Sequence, residues 1–272
     1  MSVPTIKLAD GNSIPQLGLG TWQVTDPAVY DTSFEAAVKA GYRHFDTAQA
    51  YHNEQFLGRS WTSSGLKRSD IFLTTKINVT HFIPNSLRKS FEQSLKKLQT
   101  DYVNLVLLHF PVPLLRKKAW AGLEELKTGG LVNSIGVSNF TIRHLEEMKK
   151  YANQMPVINQ VEMHVFLQQP ELADYCKSNY IQLEAYSPLA RAHIMDNPVI
   201  TEIAGKYNKS YAQVMLRFLI ERGLIVIPKS ASAKRVFENI DIFNFNLNND
   251  DMRRLNSLDM NKHYCWSPVH IP

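Results

Sequence analysis

Four ionisable residues in the first half of the chain have the types needed for proton transfer: Asp46, Tyr51, Lys76 and His109. A tyrosine hydroxyl, with an ordinary pKa of about 10, is a poor acid at neutral pH. A lysine ammonium beside it favours the phenolate, lowers that pKa and helps the proton leave. A buried aspartate would keep the ammonium charged and in place, and a histidine could orient a substrate oxygen. Each residue also has an ordinary reading. Asp46 could cap a turn, Tyr51 could pack, Lys76 could lay its stem on apolar surface, and His109 could be a core histidine. The chemical reading depends on all four reaching one place.

The elements between them say how that could happen. Short β-rich runs alternate with segments of helical period. Expected strands are Gln16–Thr21, His44–Thr47, Phe72–Lys76, Val103–His109, Ser134–Val137, Val157–Val161, Gln182–Tyr186 and Leu224–Ile227. Several are almost continuously apolar, as strands buried on both faces of a parallel sheet are. Between them, Leu87, Phe91, Leu95 and Leu98 form one apolar stripe. Ile142, Leu145 and Met148 form a second, and Tyr211, Val214, Met215, Phe218 and Leu219 a third. These read as core faces of covering helices. Eight such units in this length predict an α/β fold of the (β/α)8 TIM-barrel type, with residues 1–272 as one domain. The longest interval is expected to hold an extra loop and helix around Arg191–Tyr207. Asp10-Gly11 between apolar residues predicts an N-terminal hairpin plugging the barrel. Helices are expected at Ala233–Asn239 and Asp250–Leu258, followed by an irregular tail at 261–272. An open dinucleotide-binding sheet is the competitor, but Leu17-Gly18-Leu19-Gly20 lacks the third glycine of its fingerprint.

In a barrel, polar residues at the C-terminal ends of strands face the site. Asp46, Tyr51, Lys76 and His109 lie at or just beyond three consecutive ends. Later ends carry neutral groups. Ser138, Asn139 and Gln160 suit a carboxamide such as that of nicotinamide, and Tyr186 offers a flat face for a planar ring. After the last strand, Lys229, Ser230 and Arg235 suit a phosphate monoester such as the 2′-phosphate of NADP. Loop residues satisfying their own backbone are the ordinary alternative.

Composition narrows the field. The chain has 44% apolar and 20% charged residues, a globular balance. Thirty basic against 25 acidic side chains give +5, dispersed rather than in a block, which favours a small anionic ligand over nucleic acid. No apolar run is long enough to span a membrane, and Met1 to Gly11 contains no apolar signal core. Two cysteines, Cys176 and Cys265, exclude a disulfide scaffold and fit a reducing compartment. A cytoplasmic monomer acting on a small molecule is expected. Neither a Cys-x-x-Cys nor a His-Glu-x-x-His spacing occurs, so no metal is expected, and Glu162-Met163-His164 is read as structural. No Gly-x-Ser-x-Gly elbow occurs either.

Taken in order, the motifs resemble the aldo-keto reductase family. They are Gly18-Leu19-Gly20-Thr21-Trp22, Phe45-Asp46-Thr47-Ala48, Tyr51-x-Asn53-Glu54, Thr75-Lys76 and Leu108-His109-x-Pro111. Gly136-Val137-Ser138-Asn139-Phe140, Asn159-Gln160-Val161-Glu162, Ala185-Tyr186-Ser187-Pro188-Leu189, Ile227-Pro228-Lys229-Ser230 and Arg235-x-x-Glu238-Asn239 follow. The likeness covers about residues 5 to 260 and is nearest to the small bacterial 2,5-diketo-gluconate reductase type. It implies NADPH as cofactor and reduction of small aldehydes or ketones. Tyr51 would be the proton donor, with Lys76 and Asp46 tuning it and His109 orienting the carbonyl. It implies cofactor contacts from Gly20, Thr21, Asp46, Ser138, Asn139, Gln160, Tyr186, Ser187, Leu189, Lys229, Ser230, Arg235, Glu238 and Asn239. A substrate wall is implied at Trp22, Tyr51, Asn78, His109, Phe110 and Trp266. Phe110 and Asn78 stand where the family often has tryptophan, and Asn78 is expected to make that wall more polar. The alternatives are a non-catalytic cofactor-binding regulatory module and a phosphosugar isomerase or aldolase on the same barrel.

Overall fold

The computed structural model describes residues 3–192 and 196–272. A two-stranded hairpin comes first: β1 (Thr5–Lys7) pairs antiparallel with β2 (Ser13–Pro15), turning at Gly11, whose φ of +86° favours glycine. Eight parallel strands follow in chain order: β3 (Leu19–Gly20), β4 (His44–Asp46), β5 (Phe72–Ile77), β6 (Val103–Leu108), β7 (Val132–Ser138), β8 (Ile158–Glu162), β9 (Gln182–Tyr186) and β10 (Ile225–Val226). Each pairs with the next. The first and last meet as well. Leu17 bridges Val226, Gly20 bridges Lys229, and the Gly18 and Gly20 amides donate to the carbonyls of Val226 and Pro228. That seam closes the barrel. A Cβ on Gly20 would sit 2.8 Å from the Ile227 carbonyl oxygen, so glycine is what lets the seam close.

Helices cover the outside: α1 (Pro27–Ala40), α2 (Glu54–Ser63), α3 (Pro84–Leu98), α4 (Arg116–Thr128), α5 (Ile142–Met148), α6 (Pro170–Ser178), α7 (Pro198–Tyr207), α8 (Tyr211–Glu221), α9 (Ala233–Ile240) and α10 (Asn249–Asn256). Their ends obey local rules. Asp26 accepts from the amides of Ala28 and Val29, and Ser210 with Gln213 forms a capping box on α8. Asn248 caps α10 through Asp251. The stripes expected from periodicity are inside: Leu87, Phe91, Leu95 and Leu98 are buried on α3, as are Leu145 and Met148 on α5. The extra segment between β9 and β10 contains a tight turn at Ala190–Ala192 and then α7. Residues 193–195 of that expected segment lie outside the described residues.

The core has two parts. One lies between barrel and helices. The other lies inside the barrel, where Leu8 and Ile14 of the hairpin segment pack on Phe72, Leu105, Leu107, Val157, Ile158 and Ile225. Phe72, Val157 and Ile225 are at the starts of strands, so the hairpin plugs the N-terminal end. Asn12 fixes it there, with Nδ2 donating to the Asn133 carbonyl and Ser134 Oγ. Chemistry is thereby left to the opposite end, where the strands stop. Among the described residues no helix is long and apolar enough to cross a membrane.

Ile14 is fully buried in the plug and far from the strand ends. Ile14→Ala is expected to cost about 2–5 kcal/mol of stability through the cavity it leaves. Denaturant unfolding should read that loss, while ligand binding at the far mouth stays unchanged at a temperature where the variant is folded.

Candidate active site

Three strand ends and one short turn bring the four ionisable residues together. Asp46 closes β4, Lys76 is the fifth residue of β5, and His109 follows β6 directly. Tyr51 ends a single turn of 3₁₀-helix, Gln49–Tyr51, on the loop after β4. Lys76 is wholly buried. Its Nζ lies 2.6 Å from Asp46 Oδ1, 3.0 Å from the Thr47 carbonyl and 3.3 Å from Tyr51 Oη. An ammonium so deep in protein persists only if its lost hydration is replaced, and these three oxygens replace it. Burial pulls the lysine pKa down, but the Asp46 carboxylate and Tyr51 outweigh it and the net direction is up.

Tyr51 differs from expectation in one respect. Burial raises its pKa, and the opposing pull of Lys76 does not overcome that together with the push from Asp46. The net shift is upward, so the hydroxyl keeps its proton at neutral pH. Lys76 makes it more acidic than burial alone would leave it. His109 is edge-on to Tyr51, ring centroids 5.8 Å apart. Burial, helped by the Lys76 charge, lowers its pKa to about 3, so the imidazole is neutral. A neutral imidazole can donate one hydrogen bond to an oxygen without adding charge.

Asp46, Tyr51 and His109 border a cavity of about 350 Å³ at the C-terminal mouth, together with Gly20, Trp22, Phe110, Ser138, Asn139, Gln160, Tyr186, Ser187 and Lys229, while Lys76 is buried behind them. Its polar atoms are ordered by their own bonds. Asn139 Nδ2 donates to the His109 carbonyl and to Ser138 Oγ, and its Oδ1 accepts from the Tyr186 hydroxyl. Gln160 Nε2 donates to Asp46 Oδ2 and to Glu184 Oε2, each at 2.8 Å. A groove of about 540 Å³ continues the cavity. It is lined by Leu189, Lys229, Arg235, Glu238 and Asn239, and it shares Trp22, Ser187, Arg191 and Lys229 with the first space. The two cations expected to meet a phosphate therefore line the groove that adjoins the cavity of Asp46, Tyr51 and His109.

Besides the buried Lys76, three expected residues line neither space. Asn78 Oδ1 accepts from the Thr80 amide and caps the short 3₁₀ turn Val79–His81, and Asn78 is not part of the cavity lining. Thr21 lies behind Asp46, its Oγ1 donating to the Asp46 carbonyl. Ser230 bonds the backbone of Ser232 at the start of α9.

The tail supplies what spacing did not reveal. Trp266 and Cys265 reach the cavity wall, and Trp266 meets Phe110 edge-to-face at 5.1 Å. Glu162, at the end of β8, holds the tail by accepting from the amides of Tyr264 and Cys265. It also faces His263 Nδ1 at 2.9 Å and His164 Nε2 at 3.3 Å. Burial pushes its carboxyl pKa up, but these partners bring the net direction down. Among the described residues no group of three His, Cys, Asp or Glu is placed to hold a metal ion. The sequence reading gives neither Arg191 nor Glu184 a place at the site. Arg191 stacks on Trp22, its Cζ 4.3 Å from the ring, from a turn that carries no periodic signal. Glu184 sits in a strand that reads as simple core.

Known proteins resemble this chain over nearly its whole length. The sequence model of the Aldo/keto reductase family matches residues 16–260. Glyoxal reductase of Bacillus subtilis is 44% identical, over 98% of this chain and 97% of that protein. Methylglyoxal reductase DkgA of Escherichia coli K12 is 42% identical, over 96% of each. Among solved structures, an aldo/keto reductase from Brucella melitensis superimposes with a TM-score of 0.91 at 46% identity, covering 95% of this chain and all of that one. A Bombyx mori aldo-keto reductase in complex with NADP gives a TM-score of 0.91 at 34% identity, over 97% of this chain and 95% of that one. The chain belongs to the aldo/keto reductase family.

Since the folded-state pKa of His109 lies below its ordinary value, its contribution to stability is complete above about pH 6.5 and is lost as pH falls toward 3. Its ring resonances are expected to stay constant from pH 8 to 5 in NMR titration. A midpoint near 6.5 would show that the imidazole is not held neutral by burial.

Proposed function

We propose that this protein is an NADPH-dependent reductase of small aldehydes and ketones, with α-dicarbonyls of the glyoxal and methylglyoxal type as its substrate class. The observation that carries the reading is the contact among Asp46, Lys76 and Tyr51 on the floor of the cavity beside His109. The channel fits a dinucleotide. Its deep end has Gln160, Asn139 and the Tyr186 ring, its far end has Lys229 and Arg235, and the two spaces share Trp22, Ser187, Arg191 and Lys229. Bound NADPH would supply the hydride that adds to the carbonyl carbon.

The residues do the rest. As the carbonyl carbon gains the hydride, its oxygen becomes an alkoxide in the making. Tyr51 gives that oxygen its proton, and the neutral His109 meets the same oxygen with a hydrogen bond. The buried ammonium of Lys76 stabilises the phenolate left on Tyr51, while Asp46 keeps the ammonium in place. Trp22, Phe110 and Trp266 form an apolar wall. The same 350 Å³ must hold both the nicotinamide ring and the carbonyl, which favours a small substrate. With Asn78 outside the cavity lining, size rather than a polar wall supports that preference. The two relatives named for glyoxal and methylglyoxal reduction support the same class.

NADPH oxidation followed at 340 nm across a panel of carbonyls tests the activity. Methylglyoxal and glyoxal should outperform bulky aromatic aldehydes. No consumption with any carbonyl would leave an isomerase or a regulatory cofactor-binding module in its place. Tyr51→Phe should lower kcat by about 10²–10⁴-fold while NADPH binding is retained. Lys229→Ala and Arg235→Ala should each weaken NADPH by about 1.5–3 kcal/mol and NADH far less. Equal losses for the two cofactors would remove both cations from the 2′-phosphate.

A further inference from the structure

Close to the acid-base residues lies a buried carboxyl that the proposed chemistry does not use. Glu184 is on β9 and wholly buried. Its Oε2 accepts from Gln160 Nε2 at 2.8 Å. Its Oε1 makes no hydrogen bond and lies 3.6 Å from His44 Nε2. The other hydrogen of the same amide nitrogen goes to Asp46 Oδ2, also at 2.8 Å. An amide nitrogen has two hydrogens, and both are taken by carboxyl groups. The oxygen is the only polar atom that Gln160 has left, and Gln160 borders the cavity.

We propose that Glu184 is a positioning residue for the cofactor: with Asp46 it fixes the Gln160 amide so that Oε1 faces the cavity as a hydrogen-bond acceptor for the NH₂ of the nicotinamide carboxamide. This rests on the NADPH reading given above. Without Glu184 the amide would be held at one hydrogen only and could rotate about its last torsion, which is broad for glutamine.

The charges around Glu184 give it a second effect. His44 and Asp46 face it from β4, Lys76 from β5, and Tyr51 lies beyond Lys76, while its other strand neighbour, Ile225 of β10, is apolar. His44 is held neutral by burial, which lowers its pKa to about 3. One ammonium thus stands against two carboxyl groups. Burial, and then the Asp46 charge, raise the Glu184 pKa to about 8. The acid thus keeps its proton to higher pH than an ordinary carboxyl, and Oε1, which faces His44, can carry the hydrogen. As pH rises through about 8, the new charge raises the pKa of both Lys76 and Tyr51. Tyr51 then gives up its proton less readily and kcat falls.

Two variants at this position and one at Gln160 test the proposal, with the dissociation constant of NADPH read by fluorescence quenching and kcat read against pH. Glu184→Gln keeps an acceptor for Gln160 and cannot ionise. It should bind NADPH within about twofold of wild type, and the fall in wild-type kcat near pH 8 should disappear. Glu184→Leu removes the acceptor and should weaken NADPH by about tenfold, the worth of one hydrogen bond. A folded Glu184→Leu protein that binds NADPH like wild type overturns the proposal. An alkaline fall that is missing in wild type or survives in Glu184→Gln overturns the charge effect, and if the leucine variant does not fold, a Glu184→Gln protein that binds NADPH about tenfold more weakly than wild type overturns the acceptor role. Gln160→Ala separates the two levels. If it weakens NADPH and Glu184→Leu does not, only the role of Glu184 fails. If Gln160→Ala binds normally, the carboxamide assignment itself fails.

Discussion

The buried pair of Lys76 and Asp46 is the constraint to which the rest of the mouth conforms. Removing two charges from water costs several kcal/mol for each ion, and a contact of 2.6 Å recovers that only if the remaining valences are also met. The Thr47 carbonyl and Tyr51 hydroxyl complete the ammonium, and the Gln160 amide takes the second carboxylate oxygen. These groups come from β4, β5, β8 and the turn after β4, so the pair gains its full set of partners only when the sheet curls to bring β8 against β4. In turn, the pair dictates which neighbours stay neutral. Its ammonium adds to burial in keeping His109 uncharged, so a proton donor and a neutral hydrogen-bond donor can stand side by side.

The fold was legible because barrel strands and covering helices have different apolar periods. Val103–Leu108 reads as a buried strand and is one, and the Leu87 to Leu98 stripe lies on the inner face of α3. Strand limits shifted by a few residues. Leu19–Gly20 is shorter than its apolar run because β3 is held partly by isolated bridges at the seam. The ends of β4, β5 and β6 were placed well enough for Asp46, Lys76 and His109 to converge as their positions required.

What the sequence did not reveal depends on directions and distant partners. Asn78 follows β5, where a cavity residue is expected, but a cap on the next turn competes for its side chain. Ser230 and Thr21 are likewise turned to backbone carbonyls. The pKa of Tyr51 could not be judged from the presence of a lysine, since the outcome depends on how deeply the phenol is buried. Glu184 alternates with apolar residues in β9, and nothing local shows that it faces Gln160 rather than the outer helices. The tail has no period at all, so Trp266 was legible only through resemblance.

That tail also separates two jobs. Trp266 and Cys265 border the cavity from a segment without helix or strand, hung by its backbone amides from Glu162. The acid-base residues belong to strand ends and owe none of their bonds to it. Exchange of residues 263–267 could therefore retool which molecules are accepted while the reaction itself is inherited intact, provided the glutamate hook is kept. Diversification along a lineage would then concentrate in a few solvent-side positions, leaving the barrel's interior as common stock.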